Sequence, residues 1–246
     1  MAATIERRLA WEGSHNARDL GGYATAGGGF TQFGRFVRAD TLQRLSQEGQ
    51  SALVEYGVRT IVDLRLPVEL ESGPNPFAAM SGEVTYLHRS LIDPDQPREI
   101  GNAADLAEHY RNNLVSSGPR IATILETLAG ADEGAVLFHC QGGQDRTGLI
   151  SAFLLDIAGV PEEVIVADYA LTQECLRELN LHHLEYGPGE RADRERELAF
   201  FTPHARVMID TLDFLHREFG GSSGYLRQAG VSQSTVRQLH DRLVAV

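Results

Sequence analysis

The chain has no lysine. All 22 of its basic residues are arginine, and 34 acidic residues outnumber them, for a net charge of −12. A chain this acidic is a poor non-specific ligand for nucleic acid or for anionic membranes, so any hold it has on an anion must be local. Cysteine is almost as scarce. Cys140 and Cys175 cannot make a disulfide framework, and a reduced, cytoplasmic setting is the expectation. The first eight residues have no apolar signal core, and no apolar run approaches the roughly 18 residues that mark a membrane span. Repeats and low-complexity tracts are also missing. What is present is ordinary globular material. Apolar residues make up 42% of 246 positions, which suits an α/β domain, and we read residues 1–246 as one domain.

Strand and helix signals alternate along most of this length. Gly27-Gly28-Gly29 marks a turn between two short extended pieces, ahead of a strand at Arg35–Arg38. Residues 46–56 have helical spacing and stop at Gly57. Residues 60–64 read as a buried strand, 67–76 as a loop, and 84–87 as another strand. Two helices are expected over 102–117 and 118–130. A strand over 134–138, a loop, and a helix from about Leu149 follow. Pro161 opens a helix that runs to Glu174. Residues 176–201 are charged and broken at Gly187-Pro188-Gly189, and read as an inserted helical pair with the character of a lid. Helices over 203–219 and 232–243 close the chain, with Ser222-Ser223-Gly224 as the loop between them. Strands interleaved with helices predict a three-layer α/β fold, with a mainly parallel central sheet and helices on both faces.

The most informative segment is His139–Gly148, HCQGGQDRTG, at the junction of strand and helix. The first N–H groups of a helix have no partner within it, so such a junction holds anions. Gly142 and Gly143 let the backbone curl around a ligand, and the Arg146 fork fits two phosphate oxygens. A cysteine in that cradle is biased toward thiolate and can attack phosphorus. On this reading Cys140 is the nucleophile. Gln141, Gly142, Gly143, Gln144, Asp145 and Arg146 hold the phosphate through backbone amides and the guanidinium. Asp145, within the loop, is the candidate proton donor for the leaving oxygen. Asp63, at the end of another strand, is its rival.

The loop resembles that of the cysteine-dependent tyrosine phosphatases, and the form HC-x-x-G-x-DRTG resembles their bacterial tyrosine/dual-specificity branch. Two upstream segments agree with that resemblance: Asn16–Tyr23 (NARDLGGY) and Gly57–Arg65 (GVRTIVDLR). It spans about residues 14–243. It implies a tyrosine-phosphatase-like fold with a lid-like insertion, a phosphocysteine intermediate, phosphotyrosine protein or a small phosphoester as substrate, inorganic phosphate as product, and no cofactor or metal. Relatives in pathogens leave the cell without a standard signal, so export stays open beside a cytoplasmic location. The branch usually has lysine where this chain has Gln144. That substitution weakens the case for anionic lipid headgroups more than for phosphotyrosine, although it also follows the general absence of lysine.

Supporting roles fall to five further residues. His139 is expected to hydrogen-bond the loop backbone, and Thr147 to donate to Cys140 Sγ. Asp63 and Arg65 are expected to line the site, and Arg18 or Arg65 to add positive charge toward substrate. Asn16, Arg18 and Asp19 are read as structural supports of the loop, and Cys175 and Tyr169 as packing. The adjacent His182 and His183 do not share a helix face and make a poor metal pair. Two other readings stay open: a phosphate-binding module without turnover, and a sulfur-transfer enzyme. Oligomeric state is not legible.

Overall fold

The computed structural model describes residues 7–79, 82–95 and 105–244. Five strands form one sheet: β1 (Arg18–Asp19), β2 (Phe36–Ala39), β3 (Val58–Asp63), β4 (Thr85–His88) and β5 (Ala135–His139). Their order is β1-β2-β5-β3-β4. Only β1 runs antiparallel, so the sheet is mainly parallel as expected. β5 lies at the centre, and its carboxyl end delivers Cys140.

Side-chain alternation divides the interior in two. Val136 and Phe138 of β5 face one core with Phe36 and Val62, while Ala135 and Leu137 face the other with Val37 and Ile61. Val58 and Ile61 share a face although three positions apart, because a bulge between Val58 and Thr60 resets the alternation. The first core is thick. It is covered by α3 (Leu106–Ser116), α4 (Gly118–Ala129), α5 (Asp145–Ile157), α6 (Glu162–Cys175), α9 (Ala205–Phe219), α10 (Ser222–Gln228) and α11 (Gln233–Leu243). The second is covered by α1 (Gln47–Glu55), two 3-10 turns and the Trp11 segment. Helices flank both faces, but unequally. No helix among the described residues is long and apolar enough to cross a membrane.

Four expectations change. The helix expected from about Leu149 already starts at Asp145, so Asp145 and Arg146 lie in its first turn and not in the loop. Residues 67–76 are not all loop, because α2 (Pro67–Ser72) forms there. Ser222-Ser223-Gly224 is the first turn of α10, not a connection. The helix expected from 102 starts at Leu106, where Asp105 caps it by accepting from Glu108 N; 102–104 lie outside the described residues. The pair over 176–201 is present as α7 (Arg177–Tyr186) and α8 (Arg191–Phe201). Arg194 ties the two together by donating to the carbonyls of Leu184 and Gly189.

Candidate active site

The loop between β5 and α5 is held mostly from outside. Five consecutive carbonyls, from His139 to Gly143, accept hydrogen bonds, that of Cys140 from the neighbouring His139 ring and the other four from flanking elements. Leu64 N donates to His139 O at 2.8 Å, and Thr41 N to Gln141 O at 3.0 Å. His139 Nδ1 donates to Cys140 O at 3.0 Å, the backbone bond expected of this residue. Asn16 Nδ2 donates to Gly142 O and Gly143 O at 3.0 and 3.1 Å, and Arg38 adds a bond to Gly143 O at 2.9 Å. Each carbonyl shares a peptide plane with the next N–H, and the two point in opposite directions. The N–H groups that share the peptide planes of the Cys140 to Gly143 carbonyls, those of residues 141–144, therefore point away from these partners. Gly143 makes the last bend possible, with φ at +65° and its backbone so close to β2 that a Cβ would lie 2.5 Å from Ala39 O.

Behind the loop sits a buried charge cluster. Asp168 of α6 accepts from Arg18 at 2.9 Å, from Arg38 at 2.5 Å and from Tyr23 at 2.9 Å. Arg18 also orients Asn16, whose Oδ1 it holds at 2.6 Å. Burial opposes the charge on Asp168, but Arg18 and Arg38 overcome it and hold the carboxyl well below its usual range. Arg18 is thus a structural support of the loop, and its expected reach toward substrate is not seen, because it is buried on Asp168. Asp19 faces elsewhere, accepting from Gly21, Gly34 and Tyr56.

Asp63 and Arg65 also turn inward. Arg65 is fully buried, bonded to Asp63, Thr41, Gln43 and the Gly73 carbonyl, so it too offers no charge to a ligand. Asp63 accepts from Arg65 and from Tyr86, and the His139 ring lies 3.3 Å away. Burial alone would favour its protonated form; His139 and Arg65 reverse this and keep it ionised to well below the usual carboxylate range. A carboxylate so surrounded has no proton to give near neutrality.

Asp145 has the opposite setting. Burial raises its pKa, and Tyr110, Arg146 and His109 offset only part of the rise. Its Oδ1 accepts from Tyr110 Oη at 2.8 Å and from Gln144 Nε2 at 3.2 Å. Gln144 donates also to Phe201 O at 2.5 Å, which pins the end of α8 beside the loop. Arg146 extends its fork to Glu69 of α2, at 2.5 and 2.8 Å. Burial disfavours its charge, but Glu69, Cys140 and Asp145 outweigh that and raise its pKa. Thr147 Oγ1 is buried without a partner, so its expected bond to Cys140 Sγ is not formed. Cys140 and Cys175 are both free and buried.

Sequence reasoning missed Glu69, Arg38 and Tyr110. Glu69 alone carried a local signal: it follows Pro67 by two residues, as an acid in a helix's first turn.

A mainly parallel sheet whose central strand delivers a cysteine into a loop with externally held carbonyls, with an arginine in the first turn of the following helix, defines the class of α/β anion-cradle proteins. Within that class the chain belongs to the tyrosine phosphatase family, whose model matches residues 9–245. It is 34% identical over 217 residues to a tyrosine-protein phosphatase of Nostoc commune, covering 85% of this chain and 74% of that one. It is 28% identical over 278 aligned positions to the triple specificity protein phosphatase PtpB of Mycobacterium tuberculosis, covering 94% and 97%. Among solved structures, TpbA of P. aeruginosa is similar over 73% of this chain and 85% of its own, at 19% identity and a TM-score of 0.33.

Proposed function

We propose that this chain, as one domain, hydrolyses phosphoric monoesters, with phosphotyrosine as the leading substrate class. The observation that carries the reading is the run of five hydrogen-bonded carbonyls around Cys140, which leaves the amides of residues 141–144 for an anion. Cys140 Sγ attacks phosphorus as a thiolate, and the bond from phosphorus to the ester oxygen breaks. Asp145 gives its proton to that oxygen, so the product leaves as an alcohol or phenol. The loop amides and Arg146 stabilise charge on the equatorial oxygens. Water then attacks the phosphocysteine, Asp145 takes a proton from it, and the S–P bond breaks to release inorganic phosphate and the thiolate. Asp145 is assigned as the acid over Asp63 because only Asp145 is held toward its protonated form. No cofactor is called for, and a reducing compartment such as the cytoplasm suits the two free cysteines.

The test is phosphate release by wild type and by Cys140→Ser from an aryl phosphate, phosphotyrosine and phosphoserine peptides, and soluble phosphoinositides. Turnover that disappears in the variant supports the thiolate route, and its optimum is expected at about pH 5 to 6.5. Ranking across the panel assigns the substrate class. Wild type that binds phosphopeptide without turnover overturns the reading in favour of a binding module.

A further inference from the structure

The side chains that bond Asp145 all grip the same oxygen, and its own backbone N–H is a further donor to the carboxyl. Its Oδ1 takes the hydroxyl of Tyr110 at 2.8 Å and the amide of Gln144 at 3.2 Å, whereas Oδ2 takes part in no bond between described side chains. Tyr110 is fully buried in α3 and is fixed in turn by Tyr169 of α6, with the two hydroxyls 2.9 Å apart and the rings edge to face. Proton counting sets the direction of this chain. A phenol has one O–H, and Tyr110 directs its own at Asp145, so Tyr169 is the donor to Tyr110. Glycine at 148 leaves room for the Tyr169 ring, which a Cβ there would crowd at 3.1 Å. The Tyr169 hydroxyl of α6 thus backs the Tyr110 hydroxyl of α3, which in turn grips one carboxyl oxygen of Asp145 on α5.

We infer that Tyr110, backed by Tyr169, is a positioning residue that locks Oδ1 of Asp145 as acceptor and so leaves Oδ2 as the oxygen that carries the transferred proton. The inference rests on the assignment of Asp145 as the acid. A carboxylic acid places its proton on the oxygen that is not already accepting a strong hydrogen bond, so the clamp selects both the oxygen and the plane of the carboxyl group. Tyr110 itself stays protonated, since burial and the neighbouring Asp145 raise its pKa well above that of a free phenol. The groups facing Asp145 are Tyr110 and His109 from α3, Tyr169 from α6, and Gln144 and Arg146 from its own segment.

The experiment compares Tyr110→Phe and Asp145→Asn on two aryl phosphates, one with a good leaving group (4-nitrophenyl) and one with a poor one (phenyl). An acid matters most when the leaving group is poor. Asp145→Asn is expected to lose about 100-fold more kcat/KM on phenyl phosphate than on nitrophenyl phosphate, and Tyr110→Phe about 10-fold more, with no added loss in the double variant. The Tyr110 bond favours the carboxylate form, so its removal is expected to move the basic limb of the pH–rate profile of kcat to higher pH. Tyr169→Phe, which leaves Tyr110 in place, is expected to move both readouts in the same direction by less, and serves should Tyr110→Phe fail to fold. Equal losses on the two substrates, or an unmoved limb, reduce Tyr110 to packing and overturn the inference while Asp145 keeps its role. A basic limb that persists unchanged in Asp145→Asn belongs to another group and overturns the acid assignment itself.

Discussion

Gly143 concentrates the demands of the loop on one residue. Its φ of +65° lies in the left-handed region, and a Cβ would sit 2.5 Å from Ala39 O, against backbone that cannot step aside. Gly143→Ala must shift the loop away from β2, which weakens the bonds from Asn16 and Arg38 to the Gly143 carbonyl. The expected cost is about 1 to 3 kcal/mol, combining positive-φ strain with a weakened buried acceptor, and thermal denaturation measures it. Activity is expected to fall far more than stability, by about 100-fold or more in kcat, because a misplaced amide lies on the charge it should stabilise. A variant with wild-type kcat would show that the loop tolerates the shift. The residues proposed to carry the chemistry could be picked out from sequence because the strand-to-helix junction places Cys140, Asp145 and Arg146 within seven positions. Their supports were not. Arg38 stands 105 residues before the carbonyl it holds, Glu69 is 77 from Arg146, and Tyr110 is 35 from Asp145. Apart from Glu69, placed in a first turn after Pro67, no local pattern distinguishes these residues from ordinary surface or core ones, since the backbone path alone brings them together.

At the scale of elements, α2 is the piece that sequence reading lost. Gly73, Pro74 and Pro76 crowd its end and suggest a loop, yet Pro67 occupies the first helical turn, where its missing N–H costs nothing. Glu69 then closes the start by accepting from Leu66 N at 2.7 Å, and the same Oε2 meets Arg146. One side chain thus both caps α2 and sets the Arg146 fork. Glu69→Ala is expected to lower kcat/KM for an aryl phosphate by about 10- to 100-fold, the equivalent of the 1.5 to 3 kcal/mol typical of a charge-assisted bond. Glu69→Gln keeps an acceptor for both partners and is expected to fall between. A rise in kcat/KM for Glu69→Ala would instead show that the carboxylate competes with phosphate for the fork. The helical pair α7 and α8 was legible for the opposite reason. Its Gly187-Pro188-Gly189 break is a strong local signal, and its charged surface needs no distant partner to be read as helix.

For the whole molecule, the mainly parallel sheet followed from interleaved strand and helix signals, whereas the uneven covering of its faces did not, because the division of helices between faces is set by connection geometry and not by composition. The same distances that hide the supports make them global. Asp168 ties β1, β2 and α6, and Asp63 ties β3 to β4 and β5. Both carboxyls have folded pKa values below their ordinary ones. Their contribution to stability is therefore complete above the unfolded carboxylate pKa, about 3.9, and is lost as pH falls through and below it. Asp145 acts with the opposite sign. Its raised pKa favours the folded state while the carboxyl is protonated, and that contribution fades as pH rises through the folded value. Denaturant midpoints followed from pH 7 downward are expected to hold to about pH 4 and then drop steeply. Asp168→Asn is expected to be less stable by about 3 to 5 kcal/mol at neutral pH, since Arg18 and Arg38 then lie buried without a counter-charge. It is also expected to lose part of the steep acid slope, because the group that titrates is gone. An unchanged slope would assign the acid sensitivity to Asp63 alone. The protonated Asp145 that the proposed acid step requires and the ionised Asp168 that supports the loop coexist only between these two titrations, so the expected activity optimum is mildly acidic with a sharp lower edge set by stability.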